Sequence, residues 1–331
     1  MKRRLFAQSL VRTAACAAVF AGAALPALQV QAEPLSNRAI RIVVPFGAGG
    51  VADVTARVIG QQLSTQLGQP VVIDNKPSAG GIVAADTVAK ATPDGHTLFL
   101  MSNGSAVTVG LFNRLPFDMV KDLTPISTLG YFDIGVITDS KSPYKNLGEL
   151  VTYAKANPGK LNIGSIAIGS TQHLAAELFK TTAGIDAQII PFNGTPAVIT
   201  ALRGKQIDAA VEILAPITGQ ISSKAVNLLA VTGDKRSPLQ PTVPTAQEAG
   251  VKGFVASSWN ALAAPSKTPA AVIERLNKEI VAAVNHPSVV KKLRELNVEA
   301  KSSTPEQTAQ LLQSEIKRWG AVIDSAKIPK Q

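Results

Sequence analysis

Ile40-Arg41-Ile42-Val43-Val44-Pro45-Phe46-Gly47-Ala48-Gly49-Gly50-Val51-Ala52-Asp53 joins a strand-like run to a helix-like run over residues 52–67 through a turn holding three glycines. Such a turn lets the backbone approach a ligand closely. The first N–H groups of the helix that follows have no intrahelical partner and lie at the positive end of its dipole. The stretch therefore predicts an anion seat where a strand hands over to a helix.

Outward from this turn, strand and helix patterns alternate, which predicts an α/β fold with mainly parallel sheets. Strands are expected at Ile40–Val44, 71–74 and 97–101, around helices at 52–67 and 81–91. A long apolar run, 125–138, lacks helical spacing and reads as an extended strand. The alternation then restarts, with helices at Leu147–Ala156, Thr171–Ala183 and 196–203 and strands at 161–164, 188–191, 207–213 and 227–231. A Pro-rich loop over 238–244 and a second extended run, 254–264, precede helices near 268–285, 287–296 and 305–326. Thr268-Pro269 and Thr304-Pro305 each pair an N-cap residue with a proline suited to the first helical position. Two extended crossings imply a chain that leaves one lobe and returns to it. Residues 33–136 and 257–331 are expected to form lobe 1 and residues 137–256 lobe 2, with a ligand cleft between them.

Lys2, Arg3, Arg4 and Arg12 precede an apolar run over 13–28 that ends in Val30-Gln31-Ala32, the pattern of a cleavable export signal over 1–32. Pro26 interrupts the run, which is shorter than the roughly 20 residues of a membrane span. Cys16 stands ahead of most of the apolar stretch, the wrong order for lipidation, and Arg3-Arg4-Leu5-Phe6 leaves the general and twin-arginine export routes both open. Cleavage after Ala32 would leave 299 of 331 residues, lower the net charge from +10 to +6 and remove the only cysteine. The remaining basic residues are scattered and aromatics are 5%, so neither a phosphate-tracking stripe nor a base-stacking platform is present and nucleic acid is not expected as a partner. Without cysteine the mature chain has no thiolate metal sites or disulfides, and its stability must come from a buried core, which 46% hydrophobic residues can supply.

A second candidate anion seat follows the strand at 161–164, where Ser165-Ile166-Ala167-Ile168-Gly169-Ser170-Thr171 opens the helix carrying His173. Two helix N-termini facing each other across a cleft would bridge a dicarboxylate, each charge-assisted hydrogen bond contributing about 1.5–3 kcal/mol. The rival reading starts from the first turn. Gly47-x-Gly49-x-x-Ala52, with Asp74 ending the next strand about 20 residues on, fits the dinucleotide fingerprint of a nicotinamide enzyme. An export leader and the lack of an accompanying catalytic set weigh against it. His96, His173 and His286 are far apart, and no H-E-x-x-H, G-x-S-x-G or Walker A pattern occurs, so no catalytic residue, metal or cofactor is expected. Asp53 reads as a helix-dipole partner, His173 as a cap or packing residue, His96 as part of a turn, and Trp259 and Trp319 as core.

Ordered motifs run through the mature chain: Pro45-Phe46-Gly47-Ala48-Gly49-Gly50 with Asp53, Asn75-Lys76-Pro77 with Ala79-Gly80-Gly81, Pro93-Asp94-Gly95-His96-Thr97-Leu98, Tyr153-Ala154-Lys155-Ala156-Asn157-Pro158-Gly159, Gly169-Ser170-Thr171 with His173-Leu174, and Val243-Pro244-Thr245 with Glu248-Ala249-Gly250. On these the chain resembles the extracytoplasmic substrate-binding receptors of tripartite tricarboxylate transporters, the TctC or Bug family. The resemblance implies a monomeric, two-lobed periplasmic binding protein of type II topology that holds a small organic carboxylate and hands it to a cognate membrane permease. An output to a sensor kinase would use the same residues. By match, the resemblance points to Phe46, Gly47, Ala48, Gly49, Gly50, Val51 and Asp53, and to Ser102, Asn103 and Ser105 in a loop after the third strand. It points also to Ser165, Ala167, Gly169, Ser170 and Thr171, to Phe192, Asn193 and Gly194, and to Glu212. Two departures bear on the ligand. Val51 and Ala52 stand where the family usually has glycine and a hydroxyl residue, which favours a less polar acid. Glu212 stands where aspartate is more usual, and is expected either to pair with an amino or ring nitrogen of the ligand or to serve as a structural acceptor.

Overall fold

Ile40, Ile42, Val43 and Val44 are buried, so β1 (Ile40–Val44) is an apolar strand covered on both faces, the pattern of a parallel sheet. The computed structural model describes residues 37–325 and 327–331; the export-signal reading of 1–32 lies outside them. After β1 come α1 (Val51–Leu67), β2 (Val71–Asn75), α2 (Ile82–Ala89), β3 (Thr97–Ser102) and α3 (Asn103–Leu111). α1 turns Ala52, Ala56, Ile59 and Leu63 to the core and ends at Gly68, whose φ of 65° closes the helix through an N–H donated to Ser64 O. β1 pairs in parallel with β2 on one side and β3 on the other.

The chain then enters β4 (Leu123–Asp139), followed by α4 (Leu147–Ala156), β5 (Leu161–Ile166), α5 (Thr171–Ala183), β6 (Ala187–Phe192), α6 (Thr195–Arg203), β7 (Ala209–Ile213), α7 (Thr218–Ser222) and β8 (Val226–Val231). It closes with β9 (Ser257–Pro265), α8 (Ala270–Val284), α9 (Pro287–Glu295), β10 (Val298–Ala300) and α10 (Pro305–Ser325). The strand order is β2-β1-β3-β9-β4-β7-β5-β6, with β8 and β10 also paired to β4.

β4 carries the architecture. As far as Asp133, opposite Ser257, it is antiparallel to β9; from Ile134, opposite Ile213, it is antiparallel to β7. One strand therefore belongs to two sheet halves, and its partners change between two adjacent residues. The chain recrosses at Thr232, which is buried and ties both passages together. Its N–H donates to Ile134 O at 2.8 Å, its Oγ1 donates to Ala256 O at 2.6 Å, and its carbonyl accepts from Ala256 N–H at 2.8 Å. Gly135, just past the change of partner, admits no side chain: a Cβ there would lie 2.5 Å from Leu228 Cδ1 and 3.0 Å from Ala230 O.

Residues 102–105, expected as a loop, are the N-cap and first turn of α3. β3 runs into this helix without a turn, and Asn103 through Thr108 are all buried, so no amphipathic stripe marks it in sequence. Ser105 Oγ accepts the Ser102 N–H at 3.1 Å. α10 fixes the same turn from behind: Trp319, fully buried, donates its Nε1–H to Asn103 Oδ1 and Glu315 Oε2, each at 2.9 Å. Asn103 Nδ2 in turn reaches Ser257 O at 3.4 Å.

Trp319→Phe keeps the packing but leaves buried Asn103 Oδ1 without its donor. The expected cost is about 1–3 kcal/mol, read as a lower urea midpoint at unchanged slope.

Candidate functional site

In each parallel unit the C-terminal end of a strand delivers the N-terminus of the next helix, and here four such ends open on one cavity of about 730 Å³. α1 contributes Gly50 and Val51, α3 Gly104 and Ser105, α5 Ser170 and Thr171, and α6 Gly194 and Thr195. α1 and α6 start from glycine N-caps that make no side-chain cap; this leaves the first N–H groups of α1 open to a ligand, whereas in α6, where Pro196 has no N–H and the Ala197 N–H is bonded to Gly194 O, the open donor is the Thr195 N–H. In α5, Ser170 Oγ accepts the His173 N–H at 3.1 Å, so the open donors are those of Thr171 and Gln172. Among the described residues no Lys, Arg, His, Asp or Glu lines the cavity. Its positive potential comes from helix ends, each equivalent to roughly half an elementary charge. The walls between them are apolar: Phe46, Val51, Phe132, Ile168, Phe192 and Ile213.

Most of the residues expected at the site meet here. Phe46, Gly47, Ala48, Gly50 and Val51 line one side, with Ser102 and Ser105 beside them. Ala167, Gly169, Ser170 and Thr171 line the opposite side, continued by Phe192, Asn193 and Gly194. The two sides approach each other closely here, for a Cβ on Gly169 (φ 83°) would lie 3.4 Å from Gly80 Cα. Thr171 Oγ1 and Ser258 Oγ, 3.3 Å apart, join α5 to β9.

Five expected residues stand outside the lining. Gly49 turns away at φ 83° and donates its N–H to Asp53 Oδ2 at 2.9 Å. Asp53 is buried and pairs with Arg57 at 2.9 Å. Burial alone would raise its carboxyl, but hydrogen bonds from Arg57, the Gly49 N–H and Asn75 outweigh burial and hold it below the ordinary range. Asn103 is engaged by Trp319, and Ser165 is buried with its Oγ on Ile166 O at 3.1 Å. Asp74, the acid of the dinucleotide pattern, is ion-paired with Arg41, whose Nε donates to it at 2.9 Å.

Glu212 is the fifth. It is fully buried on β7 opposite Gly135, and Oε2 accepts from Thr195 Oγ1 at 3.1 Å and Gln172 Nε2 at 3.4 Å. Both partners line the cavity, so this acid stands directly behind the first turns of α5 and α6. Its other oxygen, Oε1, has no hydrogen-bond partner. Burial pushes the carboxyl up to about 7, against the opposing bonds from Gln172, Thr195 and the Ile213 N–H.

Sequence reasoning missed the 3-10 turn at Ala79–Gly81, Gln172, Thr195, Ser258 and Asn260 as parts of the lining. Ala79-Gly80-Gly81 before a helix repeats the glycine signal of the first seat and was readable. Asn260, buried with Nδ2 unpartnered, stands between Trp259 and the apolar run Ala261-Leu262-Ala263-Ala264 and was readable only as an interruption.

A family model described as "Tripartite tricarboxylate transporter family receptor" matches residues 55–328. The chain is 34% identical to Protein BugT of Bordetella pertussis, over 95% of this chain and 97% of that one. Among solved structures it is similar to an R. palustris protein with adipate, at TM-score 0.85 and 32% identity over 89% of this chain and 99% of the other. It is similar also to MatC from Rhodopseudomonas palustris with bound malate, at TM-score 0.81 and 33% identity over 86% and 99%. The fold is that of periplasmic binding proteins, and these relatives are solute-binding receptors, not enzymes.

The buried acid makes stability depend on pH with a definite sign. Glu212 binds its proton more tightly folded, near 7, than at its ordinary 4.5, so its contribution is complete below pH 4.5 and is lost as pH rises to about 7. The unfolding free energy of the wild type, from urea titrations, should fall over that window by up to about 1.4 kcal/mol per pH unit from this group, and Glu212→Gln should flatten the slope there.

Proposed function

The chain belongs to the tripartite tricarboxylate transporter receptor family, and on that premise we propose that it captures a small organic carboxylate in this cavity and presents it to a membrane permease from the periplasm. One observation carries the reading: four helix N-termini open on a cavity whose described lining holds no charged side chain. A site so built favours anions through backbone N–H groups and excludes a cationic ligand, which would meet only positive helix ends. The helix ends lie on opposite sides and the walls between them are apolar, so the ligand that fits is a dicarboxylate with a hydrocarbon middle. The relatives solved with adipate and malate hold acids of this kind. Val51 and Ala52, apolar where the family usually has glycine and a hydroxyl residue, favour the less substituted acids.

The working cycle is a population shift between open and closed forms, with residues 33–136 and 257–331 as one body and 137–256 as the other. The change of partner between Asp133 and Ile134 in β4, and the recrossing at Thr232, support a hinge there. A ligand bonded to both bodies stabilises the closed form, and the permease recognises that form as a monomeric receptor.

A thermal-shift screen of residues 33–331 against C4 to C6 dicarboxylates, with NAD as control, tests this. Ligand at 100 times its dissociation constant should add about 2.7 kcal/mol of stability. Val51→Asp sets a carboxylate at the α1 seat and should weaken the best acid by about 10- to 100-fold, since each 1.4 kcal/mol is a factor of ten. A shift with NAD and with none of the acids contradicts the reading.

A further inference from the structure

Resting on the carboxylate reading above, we propose that Glu212 couples anion binding at the α5 and α6 end of the cavity to the uptake of one proton, so that this receptor takes its ligand as a carboxylate plus H⁺. The geometry places the acid where a ligand charge would be felt. Its two hydrogen-bond donors, Thr195 and Gln172, belong to the first turns of α6 and α5 and face the cavity on their other side. Those turns supply the open N–H groups for the ligand. An ionised Glu212 would draw on the same two helix ends from behind, and two carboxylates separated by one layer of side chains repel strongly in a water-poor interior.

The carboxyl is arranged to hold a proton. Oε2 accepts both bonds and so serves as the carbonyl oxygen of the neutral acid, while Oε1, without a partner, is the atom that takes the proton from solvent as the ligand enters. Among the described residues no cationic group is bonded to it. On the elements packed against β7, α5 carries His173 and the Glu177–Lys180 pair, α6 carries Arg203 in its last turn, and β4 carries Tyr131, Asp133 and Asp139. β5 and β8 carry no ionisable side chain. None of these groups is bonded to Glu212. Burial pushes the His173 ring below its ordinary 6.5, so above that pH it stays neutral and the titration of Glu212 stands alone.

The test is calorimetric titration of residues 33–331 with adipate and malate from pH 6.5 to 8, in PIPES and in imidazole, whose different heats of ionisation report protons taken up. Wild type should take up close to one proton per ligand at pH 8, and its dissociation constant should rise by up to about tenfold per pH unit above 7. Glu212→Gln should bind with a dissociation constant constant within about twofold over this range, since linkage without a titrating group has no slope. Binding by wild type without proton uptake, or a Glu212→Gln variant with the wild-type slope, overturns the proposal while leaving the receptor reading intact. Absence of binding by either acid at every pH, in both proteins, overturns the two together. If the variant does not fold, proton uptake by the wild type decides alone.

Discussion

One constraint organises this molecule: a 17-residue strand, β4, serves two sheet halves and changes partner between Asp133 and Ile134. In a parallel α/β unit every strand ends where a helix begins, so each half has one edge crowded with helix N-termini. Sharing β4 sets those two edges against each other. The cavity, its polarity and the close approach of Gly169 to Gly80 all follow from that juxtaposition. The tight crossing also explains why Gly135 has no room for a side chain and why Thr232 uses both its backbone and its hydroxyl to bind the two passages together.

The electrostatics of the cavity are those of the backbone. With no charged side chain among its described lining, the site needs no counter-ion that would itself have to be desolvated, and it leaves selectivity to shape and to a few hydroxyl and amide groups. Two buried acids near it show how environment decides the behaviour of one chemical group. Asp53 receives a guanidinium and the Gly49 N–H and stays ionised, fixing the glycine turn ahead of α1. Glu212 receives an amide, a hydroxyl and the Ile213 N–H but no cation, and burial wins.

Much of this was legible in the sequence because its signals are local. Glycines between an apolar run and a helix mark the turns at 47–50 and 165–171 that open α1 and α5, and the long apolar runs that became β4 and β9 lack helical spacing. What was not legible depends on three dimensions. α3 is buried on every side, so its sequence carries no stripe, and Ser102, Asn103 and Ser105 read as loop residues. Of these, Asn103 is taken by Trp319 from 216 positions away, a contact no local pattern could announce. Glu212 looks like a ligand-facing acid in Ala209-Ala210-Val211-Glu212-Ile213, and only the packing of α5 and α6 against β7 puts Gln172 and Thr195 between it and the cavity.

The most direct test of this account is a crystal structure of this receptor with a bound dicarboxylate. The account predicts carboxylate oxygens bonded to first-turn N–H groups of helices from both sheet halves, α1 or α3 on one side and α5 or α6 on the other, with no lysine or arginine side chain in contact. A ligand held by a basic side chain, or confined to the helix ends of one half, would contradict it.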